Sequence, residues 1–137
     1  MSCSMSINYE AIESLAKAYE KAPDLVLKEA KKAVRSVAIG LIGNVKANTR
    51  VKTGTLRRGY IMSGVVQHGS EVSATITNSV EYAPYIEYGH RIVDGNHKTI
   101  GFWRGDHMLE KATEIARGEL KRRSQGIIEK VKESIKV

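Results

Sequence analysis

Tyr60-Ile61-Met62-Ser63-Gly64-Val65-Val66-Gln67-His68-Gly69-Ser70-Glu71-Val72-Ser73-Ala74-Thr75-Ile76-Thr77 is the stretch on which the fold turns. Ile61, Ser63, Val65 and Gln67 alternate with Met62, Gly64, Val66 and His68, and Val72, Ala74 and Ile76 alternate with Ser73, Thr75 and Thr77. A period of two belongs to an extended strand, whose successive side chains point to opposite faces. Gly69-Ser70 suits a two-residue type II′ turn, in which Gly takes the first central position. The stretch predicts an antiparallel hairpin with strands over about residues 61–68 and 72–77.

On both sides the period lengthens to that of a helix. Ile12, Leu15, Ala16 and Tyr19 predict a short amphipathic helix over about residues 8–21, with Asn8 as N-cap and Pro23 ending it. Leu27, Ala30, Val34, Val37, Leu41 and Val45 form the stripe of a second helix over about residues 24–48, with Lys28, Lys31, Lys32 and Arg35 turned away from it. Gly40 and Gly43 each cost that helix up to about 1 kcal/mol relative to Ala, which points to close packing by a neighbour rather than a kink. After the hairpin, Pro84 starts a short helix that Gly89 closes. Residues 90–105 have no periodicity and carry the turn Asp94-Gly95-Asn96, so they read as an exposed loop with at most one short strand near 99–102. Asp106 is the expected N-cap of a last helix reaching about residue 135. Its core positions are Leu109, Ala112, Ala116, Leu120, Ile127, Val131 and Ile135, and Gly118 and Gly126 are expected to divide it into segments. The class is α+β: long helices packed on a small antiparallel sheet containing a central hairpin. No repeat, low-complexity segment or boundary interrupts the chain, and residues 1–137 read as one domain.

At 137 residues, such a domain buries roughly two-thirds of its unfolded surface without needing a metal or disulfide. Cys3 stands alone in an N-terminus expected to fray, so neither an internal disulfide nor a cysteine metal site can form, and a reducing compartment is the natural setting. No apolar run approaches the roughly 18–20 residues of a membrane span. The first seven residues lack the basic start and apolar stretch of a signal peptide, so a soluble protein without membrane partners is expected. Twenty-two Lys and Arg against fifteen Asp and Glu give a net charge of +7, which favours an anionic partner such as nucleic acid. The competing meaning is a solvated face, because many basic residues alternate with acids along helices.

Catalytic chemistry finds little support. His90, Asp94 and His97 offer three ligands within eight residues, but a turn divides them and no zinc pattern surrounds them. They are the whole basis for an enzyme reading. There is no Gly-x-Ser-x-Gly elbow, and Thr53-Gly54-Thr55-Leu56-Arg57-Arg58 lacks the spacing of a phosphate loop. No catalytic residue, cofactor or metal ligand is assigned. That same segment could cap a helical turn and project Arg57 and Arg58 while Leu56 anchors it. In the segment 80–89, Tyr82, Tyr85 and Tyr88 fall three apart near one helix face. Three rings so placed are a core seam, a base-stacking platform or anchors of a subunit interface.

The two segments, in this order around a hairpin, resemble the small tail-completion and head–tail joining proteins of long-tailed bacteriophages. In that family a long helical region leads to a Thr-Gly-x-Leu-Arg motif, here Thr53, Gly54, Leu56 and Arg57. After a hairpin comes an Asn-x-x-x-Tyr-Ala-x-x-x-Glu-x-Gly motif, here Asn78, Tyr82, Ala83, Glu87 and Gly89. The resemblance covers roughly residues 26–116. It departs after Gly89, where the family has a short basic loop and a Pro-Phe-x-x-Pro-Ala approach to its last helix; here the loop is longer, and Phe102, Trp103 and Leu109 stand without either proline.

The resemblance implies a structural virion-assembly protein of a phage or prophage, located at the neck or the top of the tail and in the host cytoplasm during assembly. It implies a homo-oligomeric ring, six- or twelvefold, with other neck, portal-adaptor or tail-tube proteins as partners and the genome passing through. Tyr82, Tyr85, Glu87 and Tyr88 are the expected subunit contact, with Glu87 paired to Arg57 or Arg58 of a neighbour. Arg57, Arg58, Arg91, Lys98 and Arg104 are the basic residues expected at the DNA channel or between subunits. The alternative is a nucleic-acid-binding module of unrelated role.

Overall fold

The computed structural model describes residues 2–49 and 54–134. In chain order the elements are β1 (Ser2–Asn8), α1 (Glu13–Lys21), α2 (Pro23–Asn48), α3 (Thr55–Arg58), β2 (Tyr60–Met62), β3 (Val66–His68), β4 (Glu71–Asn78), α4 (Ala83–Tyr88), β5 (His90–Val93), β6 (Thr99–Trp103) and α5 (Met108–Ser134). The architecture is α+β, with long helices on a small antiparallel sheet.

β4 is the central strand of that sheet, with β1 on one side and β2 and β3 in succession on the other. The hairpin turns at Gly69, whose φ of +57° suits a type II′ turn, and His68 pairs with Glu71 across it. The first strand is not continuous over 61–68 as expected. Met62 pairs with Ile76 and Val66 with Ser73, so this strand holds one residue more than β4 between the two pairs. That is a β-bulge. Ser63 bridges the gap by donating its backbone N–H to the Thr75 carbonyl (2.8 Å) while its hydroxyl accepts the Thr75 N–H (2.9 Å).

The N-terminus departs most from expectation. Residues 2–8 do not fray but pair with β4 from Ser2–Thr77 to Asn8–Glu71. Cys3 is half-buried, with its sulfur 2.9 Å from the Thr113 hydroxyl. Asn8 does not cap α1; its Oδ1 accepts the N–H groups of Glu10 and Ala11 in a local turn, and Ile12 precedes the helix without a side-chain cap.

Met5, Ile7, Val72, Ala74 and Ile76 bury one face of the sheet against the helices. The facing stripes are those expected: Ala30, Val34, Val37, Leu41 and Val45 on α2, and Leu109, Ala112, Ala116, Leu120, Ile127 and Val131 on α5. The two long helices run antiparallel, and near one end Lys130 Nζ lies 3.0 Å from Glu29 Oε1. Ile135 falls outside the described residues. Two glycine expectations need correction. A Cβ at Gly40 or Gly43 would meet nothing within 4 Å, so no element packs closely there, and α5 runs unbroken through Gly118 and Gly126.

Candidate assembly site

Both motif segments hang from one end of the sheet. Tyr60 pairs with Asn78 at that end; α3 stops two residues before Tyr60, and α4 starts five residues after Asn78. Asn78 is 1% exposed and ties the segments together. Its side-chain amide donates to the Leu56 carbonyl (2.9 Å), and its Oδ1 accepts the Val80 N–H (3.0 Å). Gly59 is required here, because a Cβ would stand 2.5 Å from Asn78 Oδ1. Tyr60 is buried beside them. Burial pushes its phenol above the ordinary value of 10.0, the Glu87 charge adds to the rise, and hydrogen bonds with Thr49 and Asn78 oppose it.

On α4, Ala83 and Glu87 lie four residues apart and face inward. Tyr82, Tyr85 and Tyr88 therefore fall on the outer side and are 42%, 57% and 58% exposed. They are not a core seam. Glu87 is not a surface residue at all. It is 3% exposed, and its carboxylate oxygens accept the N–H groups of Leu109 (2.8 Å) and Glu110 (3.0 Å). It caps α5 from a distant part of the chain, where a negative charge meets the positive end of the helix dipole. This corrects two expectations: Glu87 is engaged within its own chain rather than offered to a neighbour, and Asp106 is not the residue preceding α5. His107 occupies that place with φ +52°.

Residues 90–105 form a two-stranded hairpin, β5 with β6, where a loop with one strand was expected. Asp94 Oδ1 closes its turn by accepting the N–H groups of Asn96 and Lys98. The root is tightly built. Gly89 (φ +90°) and Gly105 (φ +83°) cross so closely that a Cβ on Gly105 would stand 2.5 Å from the Gly89 nitrogen. Asp106 and His107 donate their N–H groups to the carbonyls of Ile86 and Glu87. The rings of Tyr85, His90 and Trp103 continue the aromatic surface from α4 onto this arm, with centroids 6.3 Å and 5.6 Å apart.

Arg57 and Arg58 are exposed on α3, and Arg91, Lys98 and Arg104 are exposed along the arm and its root. Thr53 lies outside the described residues. Among the described residues, one group of side chains could hold a metal ion, and it is not His90, Asp94 and His97. It is Glu87, His107 and Glu110. Glu87 is already bonded to the two helix amides, and His107 to Glu110 Oε2 (2.8 Å) and the Arg104 carbonyl (2.9 Å). These contacts account for the group as a brace at the root of the arm.

In this α+β chain, buried polar groups hold elements together, while Tyr82, Tyr85, Tyr88 and the basic residues of α3 and the arm face outward. The family model for bacteriophage HK97-gp10-like tail components matches residues 13–89, and the chain belongs to that family. It is a structural, tail-related phage component, which associates it with the virion and with other tail proteins. The arm and α5 lie beyond the matched stretch. No curated protein and no solved structure matches the chain. Among the described residues, no helix is long and apolar enough to cross a membrane.

Proposed function

We propose that this protein, acting as one domain, is the subunit of a homo-oligomeric ring that completes the tail or joins it to the head. Assembly takes place in the host cytoplasm, with portal-adaptor or tail-tube proteins stacked against the ring. The observation that carries this reading is the exposed aromatic and apolar surface running from Tyr82, Tyr85 and Tyr88 onto the arm, on a root too tightly crossed to be a flexible loop. Tyr and Trp supply large contact area at low entropic cost and commonly anchor interfaces. A ring contact is heterologous, so one patch meets a different patch on the next copy. Six or twelve copies are the numbers the family resemblance implies. The exposed Arg57, Arg58, Arg91, Lys98 and Arg104 suit a surface past which DNA phosphates move.

The same residues support the second reading, a nucleic-acid-binding module that stacks bases on the tyrosines. Sedimentation of wild type and Tyr85→Ala, with and without DNA, separates the two. The ring reading expects wild type to self-associate without DNA and Tyr85→Ala to self-associate at least tenfold more weakly with its melting temperature unchanged. A wild-type protein that stays monomeric alone yet binds DNA, with affinity falling steeply in salt, supports the alternative.

A further inference from the structure

We infer that the β5–β6 arm of one copy adds itself to the free edge of β1 in the next copy, extending the neighbour's sheet. The inference rests on the ring reading and names the second half of its contact. Among the described residues, the strands of the arm are largely uncovered. Its two strands pair with each other and belong to a sheet separate from the main one, and an isolated hairpin is marginally stable in water. Ile100 and Phe102 on β6 are 65% and 78% exposed, and Ile100 is the extra residue of a bulge where the pairing passes from Gly101–Ile92 to Thr99–Val93.

The acceptor is the other unprotected feature of the fold. The sheet has two edges, and one of them, β2 and β3, is short and broken by a bulge, which is how edges are commonly blunted. The other, β1, is seven residues of Ser, Cys, Met, Ile and Asn with no charge, proline or irregular pairing. Its outer backbone groups border a groove against α5, lined among others by Met5, Ile7, Ile12, Leu120, Arg117 and Lys121. A strand laid along β1 has the same alternation as its neighbour. Beyond the bulge, Phe102 would enter the apolar layer beside Met5, Ile7 and Leu120, while Gly101 and Trp103 would lie with the Ser hydroxyls on the open face. Among the described residues, the arm is the element outside the main sheet that offers a ready strand edge, which makes a second copy the fitting occupant. Donor and acceptor also stand apart on the subunit, since the groove meets α5 ten or more residues beyond the arm's root, roughly 15 Å along the helix. A contact of that kind repeats head to tail.

One charge relation gives the contact a signature. Arg91 shares the face of Phe102, across the arm from it, and would approach Arg117 and Lys121 at the groove's rim. Self-association should therefore strengthen as salt screens this repulsion, the opposite of what a phosphate contact does.

The test places a photo-crosslinking amino acid at Thr99 in the full chain. Isotope-labelled and unlabelled copies are mixed, and adducts are mapped by mass spectrometry alongside sedimentation. The expected result is adducts between copies within residues 2–8, self-association that strengthens with salt, and at least tenfold weaker association of Phe102→Ser with an unchanged melting temperature. Self-association with adducts elsewhere, or undiminished association of Phe102→Ser, overturns the inference and leaves the ring reading standing. A protein monomeric under all these conditions overturns both.

Discussion

At the scale of single residues, Glu87 shows that a recognisable motif position can serve the scaffold rather than the surface. A carboxylate taken out of water is unfavourable unless its oxygens find donors, and here two amides at the start of a 27-residue helix supply them. Asn78 does the same for α3, and Ala83 leaves room for α4 to seat. Asn78, Ala83 and Glu87 thus build the scaffold, while two other motif residues, Arg57 and Tyr82, face outward. Glu87→Ala leaves two helix amides without partners and should lower unfolding free energy by about 2–4 kcal/mol, given the worth of charged hydrogen bonds and the helix dipole. Glu87→Gln, which keeps an acceptor but not the charge, should lose roughly half as much. Urea denaturation measures both. An Ala variant as stable as wild type would mean that Glu87 does not hold α5.

At the scale of elements, the arm's direction depends on its crossed glycines. Both have positive φ, where a side chain is strained, and each would drive a Cβ into backbone of the opposite strand. Gly105→Ala should therefore lose the His90–Trp103 ring contact, visible as altered Trp103 fluorescence, and should weaken self-association while the β1–β4 ladder keeps its amide protection. Unchanged fluorescence would show that the arm tolerates the substitution. The hairpin of β3 and β4 was legible because Val72, Ala74 and Ile76 alternate cleanly beside a Gly-Ser turn, and α2 and α5 because their stripes are long. β1 carried a readable signal too, with Cys3, Met5 and Ile7 alternating with serines, but its outward positions are small and polar and its partner lies some seventy residues away. Of the arm, a strand near residues 99–102 was expected and β6 fills it, whereas β5 had no readable signal, for a related reason. Neither of its faces is buried, so no contrast between buried and exposed positions marks its strands. The bulge at residues 63–65 and the cap by Glu87 depend on tertiary partners that no local pattern encodes.

At the scale of the whole molecule, one surface of the sheet and the stripes of three helices form a continuous core, and the exposed apolar side chains include the tyrosines of residues 82–88 and those of the arm, with Ile39, Ile61 and Ile115 elsewhere. The proposed role, closing or joining the phage tail, can be read in whole particles. It is tested most directly by electron microscopy of particles from the encoding phage or prophage with this gene disrupted, before and after adding purified protein. Filled heads separate from tails, or tails of unregulated length, are expected without the protein, with joined particles restored by wild-type protein and not by Tyr85→Ala. Joined, infectious particles formed without the protein would contradict it.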